Sequence, residues 1–340
     1  MAVGNQTATF VGLGIAAGPS SVVIYKPGNS PCTRGCLQHR EPRRMKKLFV
    51  AALLLVSPLL AQPSDLDWIK VTVLPGDVNG ISGMARLEPD RYLICDGGLL
   101  RELAMDSLSL IPVQGESIGG LNDMEALCAM PGAPGRFLVV SADQVHEVIR
   151  NADESYSAGS FTKVLPRADV NGDGVFDGGN DFEGFDVAEV NGLTFAVWGD
   201  RGEGWISYSP FDPSLLDTLS SPESFHYSSP LAPEEEGEHL FEISDLKVRP
   251  NGELIIVSNS RNSNEGGPLV PYRSCVAIPG RFVTEVDELT FQRYDAPKVL
   301  LMGQTNLMIE GLELTEDGLL LASEDDGSSH ILKLSLEDLP

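Results

Sequence analysis

The chain has 340 residues, with 24 basic and 49 acidic side chains and a formal net charge of −25. That balance excludes a general nucleic-acid or anionic-membrane binder and favours cationic partners or a highly solvated surface. Length and an apolar share of 42% suffice for one large domain.

Met45-Lys46-Lys47 followed by the apolar run Leu48 to Leu60 reads as an export signal cleaved after Ala61, and residues 1–44 upstream of it read as a non-structural extension. Cleavage removes seven of the 24 basic residues and one of the 49 acidic ones, leaving residues 62–340 with a net charge of −31. The expected location is periplasmic or extracellular, with no membrane span after cleavage. Cys95, Cys128 and Cys275 then remain. All three lie in apolar strand context and read as small buried hydrophobes.

From Ile81 onward one pattern occurs five times: a short strand bearing a polar and a small residue, then a continuous apolar run ending in polar residues. The pairs are Ile81 to Ala85 with Tyr92 to Asp96, Met124 to Leu127 with Phe137 to Ser141, and Phe182 to Phe185 with Phe195 to Gly199. Ile243 to Leu246 with Leu254 to Ser258, and Ile309 to Leu312 with Leu319 to Ser323, complete the set. Repetition at roughly 40–65 residues marks units that cannot bury their own faces and must stack on one another, as in a propeller.

Weaker third strands are expected at Leu100 to Leu103, Val145 to Arg150, Trp205 to Tyr208, Ser274 to Ile278 and His330 to Leu334. Fourth strands are expected at Leu108 to Val113, Phe161 to Leu165, Ser224 to Tyr227 and Leu289 to Tyr294. The fifth unit runs out of chain before its fourth strand, and Trp68 to Val73 stands alone ahead of the first. The expectation is an all-β, five-bladed β-propeller, six blades being the alternative, with that N-terminal strand closing the last blade. One helical turn is expected at Asp212 to Leu216.

Inner strands begin, and second strands end, on one face of a propeller, so the repeat gathers polar side chains at one mouth of the central channel. These are Ser82, Glu125, Glu183, Ser244 and Glu310 from the first strands, and Asp96, Asp143, Asp200, Arg201, Asn259, Arg261, Glu324, Asp325 and Asp326 from the second-strand ends. Clustered carboxylates need a cation or an arginine between them. Glu125, Glu183 and Glu310 are therefore expected as metal ligands or general base, and Arg201 and Arg261 as clamps for an anionic group. A second reading has the glutamates capping strand amides and the loop acids merely solvated.

Asp169-Val170-Asn171-Gly172-Asp173-Gly174-Val175-Phe176-Asp177 carries oxygen ligands at positions one, three, five and nine, a carbonyl at Val175 and the turn glycine at six, as a calcium loop requires. Position twelve is Asn180 where an EF-hand has Glu, and no flanking helices are expected. The run Glu234 to His239 reads as a solvated loop.

The segments FEGFDVAEVNGLTFAVWGDRGEG, IEGLELTEDGLLLASEDDG and ISGMARLEPDRYLICDGG resemble the exported phytase-like or esterase-like β-propeller proteins of bacteria. The resemblance spans about residues 68 to 337 and implies a calcium-supported hydrolase of phosphate or carboxylic esters. Few basic residues face the mouth, which departs from what a highly phosphorylated substrate would need. The expected ligand is a small anionic ester or a glycan, the expected state a monomer. The competing expectation is a non-catalytic ligand-binding propeller of the cell envelope.

Overall fold

The computed structural model describes residues 69–70, 80–96, 98–113, 118, 121–171, 175, 178–179, 181–212, 219, 222–230, 242–260, 272–285, 288–305, 308–324 and 329–335. The extension 1–44, the export signal 45–61, Asp173, Asp177, the turn at 213–216, the acidic run 234–239, Arg261, Asp325 and Asp326 lie outside the described residues.

Every regular element among the described residues is a strand. β1 (Ile69–Lys70) precedes blade one, which comprises β2 (Gly83–Glu88), β3 (Arg91–Asp96), β4 (Leu99–Ala104) and β5 (Ser109–Pro112). Blade two is β6 (Met124–Ala129), β7 (Arg136–Ser141), β8 (Gln144–Arg150) and β9 (Tyr156–Val164). Blade three is β10 (Phe182–Val190), β11 (Leu193–Asp200), β12 (Trp205–Pro210) and β13 (Glu223–His226). Blade four is β14 (Glu242–Val248), β15 (Glu253–Ser260), β16 (Tyr272–Glu285) and β17 (Glu288–Thr305). Blade five is β18 (Met308–Leu314), β19 (Gly318–Glu324) and β20 (His330–Ser335), with β1 as its outer strand.

Each blade is an antiparallel four-stranded sheet, and the inner strands β2, β6, β10, β14 and β18 touch in that order and return to β2. The molecule is thus a five-bladed propeller. β1 pairs with β20 through Ile69↔Ile331 and Lys70↔His330, so the start of the domain and its end share one sheet.

The apolar second strands are explained by what covers them. One core cluster fills each blade interface: Leu138 and Val140 meet Phe185 and Trp198; Phe195 and Val197 meet Leu254 and Ile256; Ile255 and Val257 meet Leu319 and Leu321. Ile94 meets Leu320 and Ala322, and Leu93 meets Leu127 and Val139. A strand sandwiched between two interfaces is apolar on both faces, and all eight residues of β15 are buried. The three cysteines are buried free thiols within this packing.

Inner strands crowd the axis. A Cβ on Gly83 would stand 2.8 Å from the Leu127 nitrogen, and one on Gly184 would stand 2.9 Å from Leu246 Cγ. Glycine at these places permits close approach of neighbouring blades.

Blade four departs from expectation. Its third strand does not stop at Ile278, nor does its fourth begin at Leu289: β16 and β17 run on as one long hairpin, with a register break at Ile278/Gly280 that absorbs Pro279. The extension leans over blade three. Phe282 packs on Phe195 and Tyr208 at ring-centroid distances of 4.7 and 5.1 Å, and Phe291 stacks on Phe225 at 4.1 Å. The fourth strand of blade two also begins earlier than expected, at Tyr156.

Candidate functional site at the channel mouth

Four of the five polar positions of the inner strands, Glu125, Glu183, Ser244 and Glu310, sit at a register break where two inner-strand residues face one on the second strand. A β-bulge re-aims the side chain it carries, and such bulges collect beside functional sites. Here the same bulge recurs in blades two, three, four and five and delivers three glutamates to one end of the ring.

Arg201 joins them from blade three. Its backbone nitrogen donates to the Asp181 carbonyl at 2.7 Å, which fixes the turn after β11. Its Nε donates to Glu242 Oε2 at 3.0 Å, Nη1 donates to Glu183 Oε1, and Nη2 stands 3.7 Å from Glu310 Oε1. The guanidinium side chain is 13% exposed and those of Glu183 and Glu310 are 3% and 6% exposed. Burial works against the guanidinium charge, but Glu183, Glu242 and Glu310 more than offset this and raise its pKa.

Glu125 completes the cluster. It neighbours Glu183 and Asp123, the latter held at φ 61°. Burial first, then the negative charges of Glu183 and Asp123, push its carboxyl well above the usual range. Burial also raises Glu183, against the pull of Arg201. Two neighbouring carboxyls, only one of them facing an arginine, titrate as a pair above the ordinary carboxylate range.

Other residues expected at the mouth have local duties. Asn259 donates to Ser244 Oγ at 2.6 Å and to the Ile309 carbonyl at 2.7 Å, stitching blade four to blade five. Asp96 pairs with Arg101 at 3.2 Å, both buried. Asp143 lines a separate cavity of about 500 Å³ in blade two, with His146, Glu147 and Thr162.

Below the mouth, the channel holds charges that the sequence reading passed over. Lys247 Nζ donates to the Leu127 carbonyl at 2.7 Å and, more weakly, to that of Phe185 at 3.4 Å. Asp245 accepts from the amides of Leu246 and Leu312, each at 2.7 Å, and Asp186 from that of Val248 at 2.8 Å. These bonds tie β6, β10, β14 and β18 together across the axis. Burial raises Asp245 to about 8, Asp186 to about 6 and Glu313 to about 7, with Lys247 opposing each. A cavity of about 230 Å³ opens beyond Lys247, lined also by Arg86, Arg249 and Glu313. The signal available in sequence was the charge at the third residue after the polar position, Asp186, Lys247 and Glu313, inside strands otherwise read as apolar.

Of the expected calcium ligands, Asp169, Asn171 and Val175 are described, the last 54% exposed. The loop's two ends meet: the Gly178 nitrogen donates to the Ala168 carbonyl at 3.0 Å. Among the described residues no group of three or more His, Cys, Asp or Glu is arranged to hold a metal. At the mouth itself Arg201 stands among Glu183, Glu242 and Glu310, in the place a cation would take, so the donor set there does not fit a metal.

No family model matches the chain, and no curated protein sequence matches it. Among solved structures, the chain is similar to the PQQ domain of pyranose dehydrogenase from Coprinopsis cinerea, with 12% identity over 82% of this chain and 99% of that one and a TM-score of 0.44. It is also similar to a glycosyl hydrolase from Bacteroides ovatus, with 13% identity, 78% and 86% coverage and a TM-score of 0.42. A luciferin-regenerating enzyme gives 12% identity, 78% and 94% coverage and a TM-score of 0.40. At such scores these likenesses assign no chemistry. Among the described residues no helix is long and apolar enough to cross a membrane.

Proposed function

We propose that the protein is an exported propeller hydrolase that cleaves a phosphoester or carboxylic ester at the channel mouth, with Glu125 and Glu183 as its acid–base pair. The observation that carries this reading is the recurring β-bulge that delivers Glu125, Glu183 and Glu310 to one end of the ring, where Arg201 donates to Glu183. Glu183, in its ionised form facing the guanidinium, takes the proton of a water attacking the ester centre. Glu125, protonated, gives its proton to the departing alkoxide oxygen as the ester bond breaks. Acid and alcohol leave, Glu183 holds a proton and Glu125 has lost one, and proton transfer from Glu183 to its neighbour Glu125 restores the starting state. Such catalysis contributes about 10²–10⁴-fold.

Arg201 serves as a positioning residue in this reading: its donors are directed to Glu183, Glu242 and Glu310, which leaves the anion-clamp role to Arg261, outside the described residues. Calcium belongs to the loop, held by Asp169, Asn171, Asp173, the Val175 carbonyl and Asp177. Bound there it would supply a fixed positive charge and brace the rim; Glu125, Glu183 and Glu310 act without it as ligand.

The commitment of Arg201 also supports a second reading, a non-catalytic module whose carboxyls accept the hydroxyls of a glycan. Hydrolysis of 4-nitrophenyl phosphate and 4-nitrophenyl acetate by the full chain separates the two. The hydrolase reading expects turnover that falls at least ~10²-fold in Glu183→Gln while the melting temperature holds; absence of turnover on both esters overturns it and leaves the binder.

A further inference from the structure

Blade two carries a cavity of about 500 Å³ that the chemistry at the channel mouth does not use. Its size falls within the range of small-molecule sites, about 300–1,000 Å³. The floor is apolar and fixed: Ile118 and Leu121 belong to the core between blades one and two, and the Leu121 nitrogen donates to the Ile118 carbonyl at 2.9 Å. The wall is polar. It comes from the β7–β8 hairpin and from the neighbouring β9, where Ala158 adds a small apolar step.

Glu147 forms the buried back of that wall and is already satisfied. Arg136 pairs with its carboxylate, and the Ser160 nitrogen donates to Oε2 at 2.9 Å. A Cβ on Gly159 would overlap the same carboxylate, so glycine lets β9 pass over it. At the lip the hairpin turns through Ala142, held at φ 54°, a left-handed conformation in which alanine is strained. The next two residues, Asp143 and Gln144, line the cavity and make no side-chain hydrogen bond among the described residues. His146 is half-buried, and burial lowers its pKa, so the ring is neutral at pH 7. Its Nδ1 shares a hydrogen bond with Thr162 Oγ1 at 3.2 Å, which leaves Nε2 for another partner. Ser141 Oγ donates to the Asn122 carbonyl at 2.6 Å and keeps its lone pairs.

The lining decides the class of ligand. It contains no lysine or arginine, which disfavours an anion. Its amide, hydroxyls and imidazole both donate and accept, as the hydroxyls of a sugar do, whereas an amine would use the acceptors alone. The aliphatic floor suits the C–H face of a pyranose ring. We propose that this cavity binds one or two sugar units of a glycan, with Asp143, Gln144 and His146 hydrogen-bonding the hydroxyls above Ile118 and Leu121. The site is independent of ester cleavage at the mouth, so either reading can fail alone.

Saturation-transfer NMR of the full chain with glucose, galactose, N-acetylglucosamine and maltose tests it, with propylamine as the amine probe. The expected result is transfer to at least one sugar. Its dissociation constant should rise about tenfold or more in His146→Ala, which removes a hydrogen-bonding group, and in Ala158→Leu, which fills the cavity from an exposed position. Glu183→Gln, at the mouth, is expected to leave that binding unchanged. Transfer to none of the sugars, or to propylamine alone, overturns the proposal. So does sugar binding that Glu183→Gln abolishes and Ala158→Leu spares, because the ligand then sits at the mouth. Melting temperatures keep recognition apart from folding, and Gln144→Ala carries the comparison should His146→Ala melt lower than wild type. Affinity undiminished in all the cavity variants contradicts the site.

Discussion

Arg201 Nη2 stands 3.7 Å from Glu310 Oε1, so a side chain from the third blade reaches the inner strand of the fifth across the channel mouth. The same guanidinium holds Glu183 and Glu242, so one cation serves carboxylates from three sheets. The mouth is cross-linked by charge as the blade interfaces are by apolar contact.

Removing that cation leaves buried carboxylates uncompensated. Arg201→Met is expected to lower stability by about 3–5 kcal/mol, read from the urea midpoint at neutral pH. Adding Glu183→Gln to Arg201→Met recovers part of the loss, because one carboxylate fewer is stranded. A purely additive double variant contradicts the cross-link.

The raised carboxyls of Glu125 and Glu183 have a pH signature. Both folded pKa values lie above the unfolded value of about 4.3, so the folded state binds more protons than the unfolded one between them. The contribution of these carboxyls is fully present below the unfolded value and is lost as pH rises through the raised folded values. Glu125→Gln is expected to flatten this decline, with its advantage over wild type growing from pH 5 upward in thermal melts. Parallel curves for the two proteins contradict the raised titration of Glu125.

The axial ion cluster predicts a second pH effect of its own. Lys247→Met removes the ammonium that opposes the raised values of Asp245, about 8, and Asp186, about 6. The expected loss is about 3–5 kcal/mol near neutral pH. That deficit grows as pH rises from about 6 to about 8, where the two carboxyls must ionise without their partner. A deficit constant across that window contradicts the assignment.

The blade-four hairpin is expected to act as a strap on blade three. Phe282, 1% exposed among Phe195, Tyr208 and Phe291, should cost about 3–5 kcal/mol when cut to Ala, and hydrogen exchange should then quicken in β13 before β6. Uniform quickening across all five blades contradicts the local strap.

How much of this was legible in sequence follows from the physics of each part. The second strands announce themselves because they are covered twice, so Leu254 to Val257 reads as a continuous apolar run. Blade closure by β1 was readable from a strand without a partner at one end and a blade one strand short at the other. The long hairpin was not, because Pro279-Gly280 has the look of a strand end and only the register break shows how the ladder passes it. Glu125, Glu183 and Glu310 were visible by their repeating position, but their relation to Arg201 was not. The sequence expectation treated that arginine as a clamp for a substrate, while three carboxylates from distant segments already surround it. Lys247 was missed because it stands in a strand read as apolar and its hydrogen bonds go to the backbone carbonyls of Leu127 and Phe185; the charge recurring three residues after the polar position was the one sign of it.

The raised titration of Glu125 and Glu183 is measured most directly by following the side-chain carboxyl resonances of 13C-labelled glutamate through a pH titration of wild type, Glu125→Gln and Glu183→Gln. The account predicts a carboxyl that stays protonated well above the ordinary glutamate range in wild type and loses that behaviour in either variant. A wild type in which every glutamate titrates within the ordinary range contradicts it.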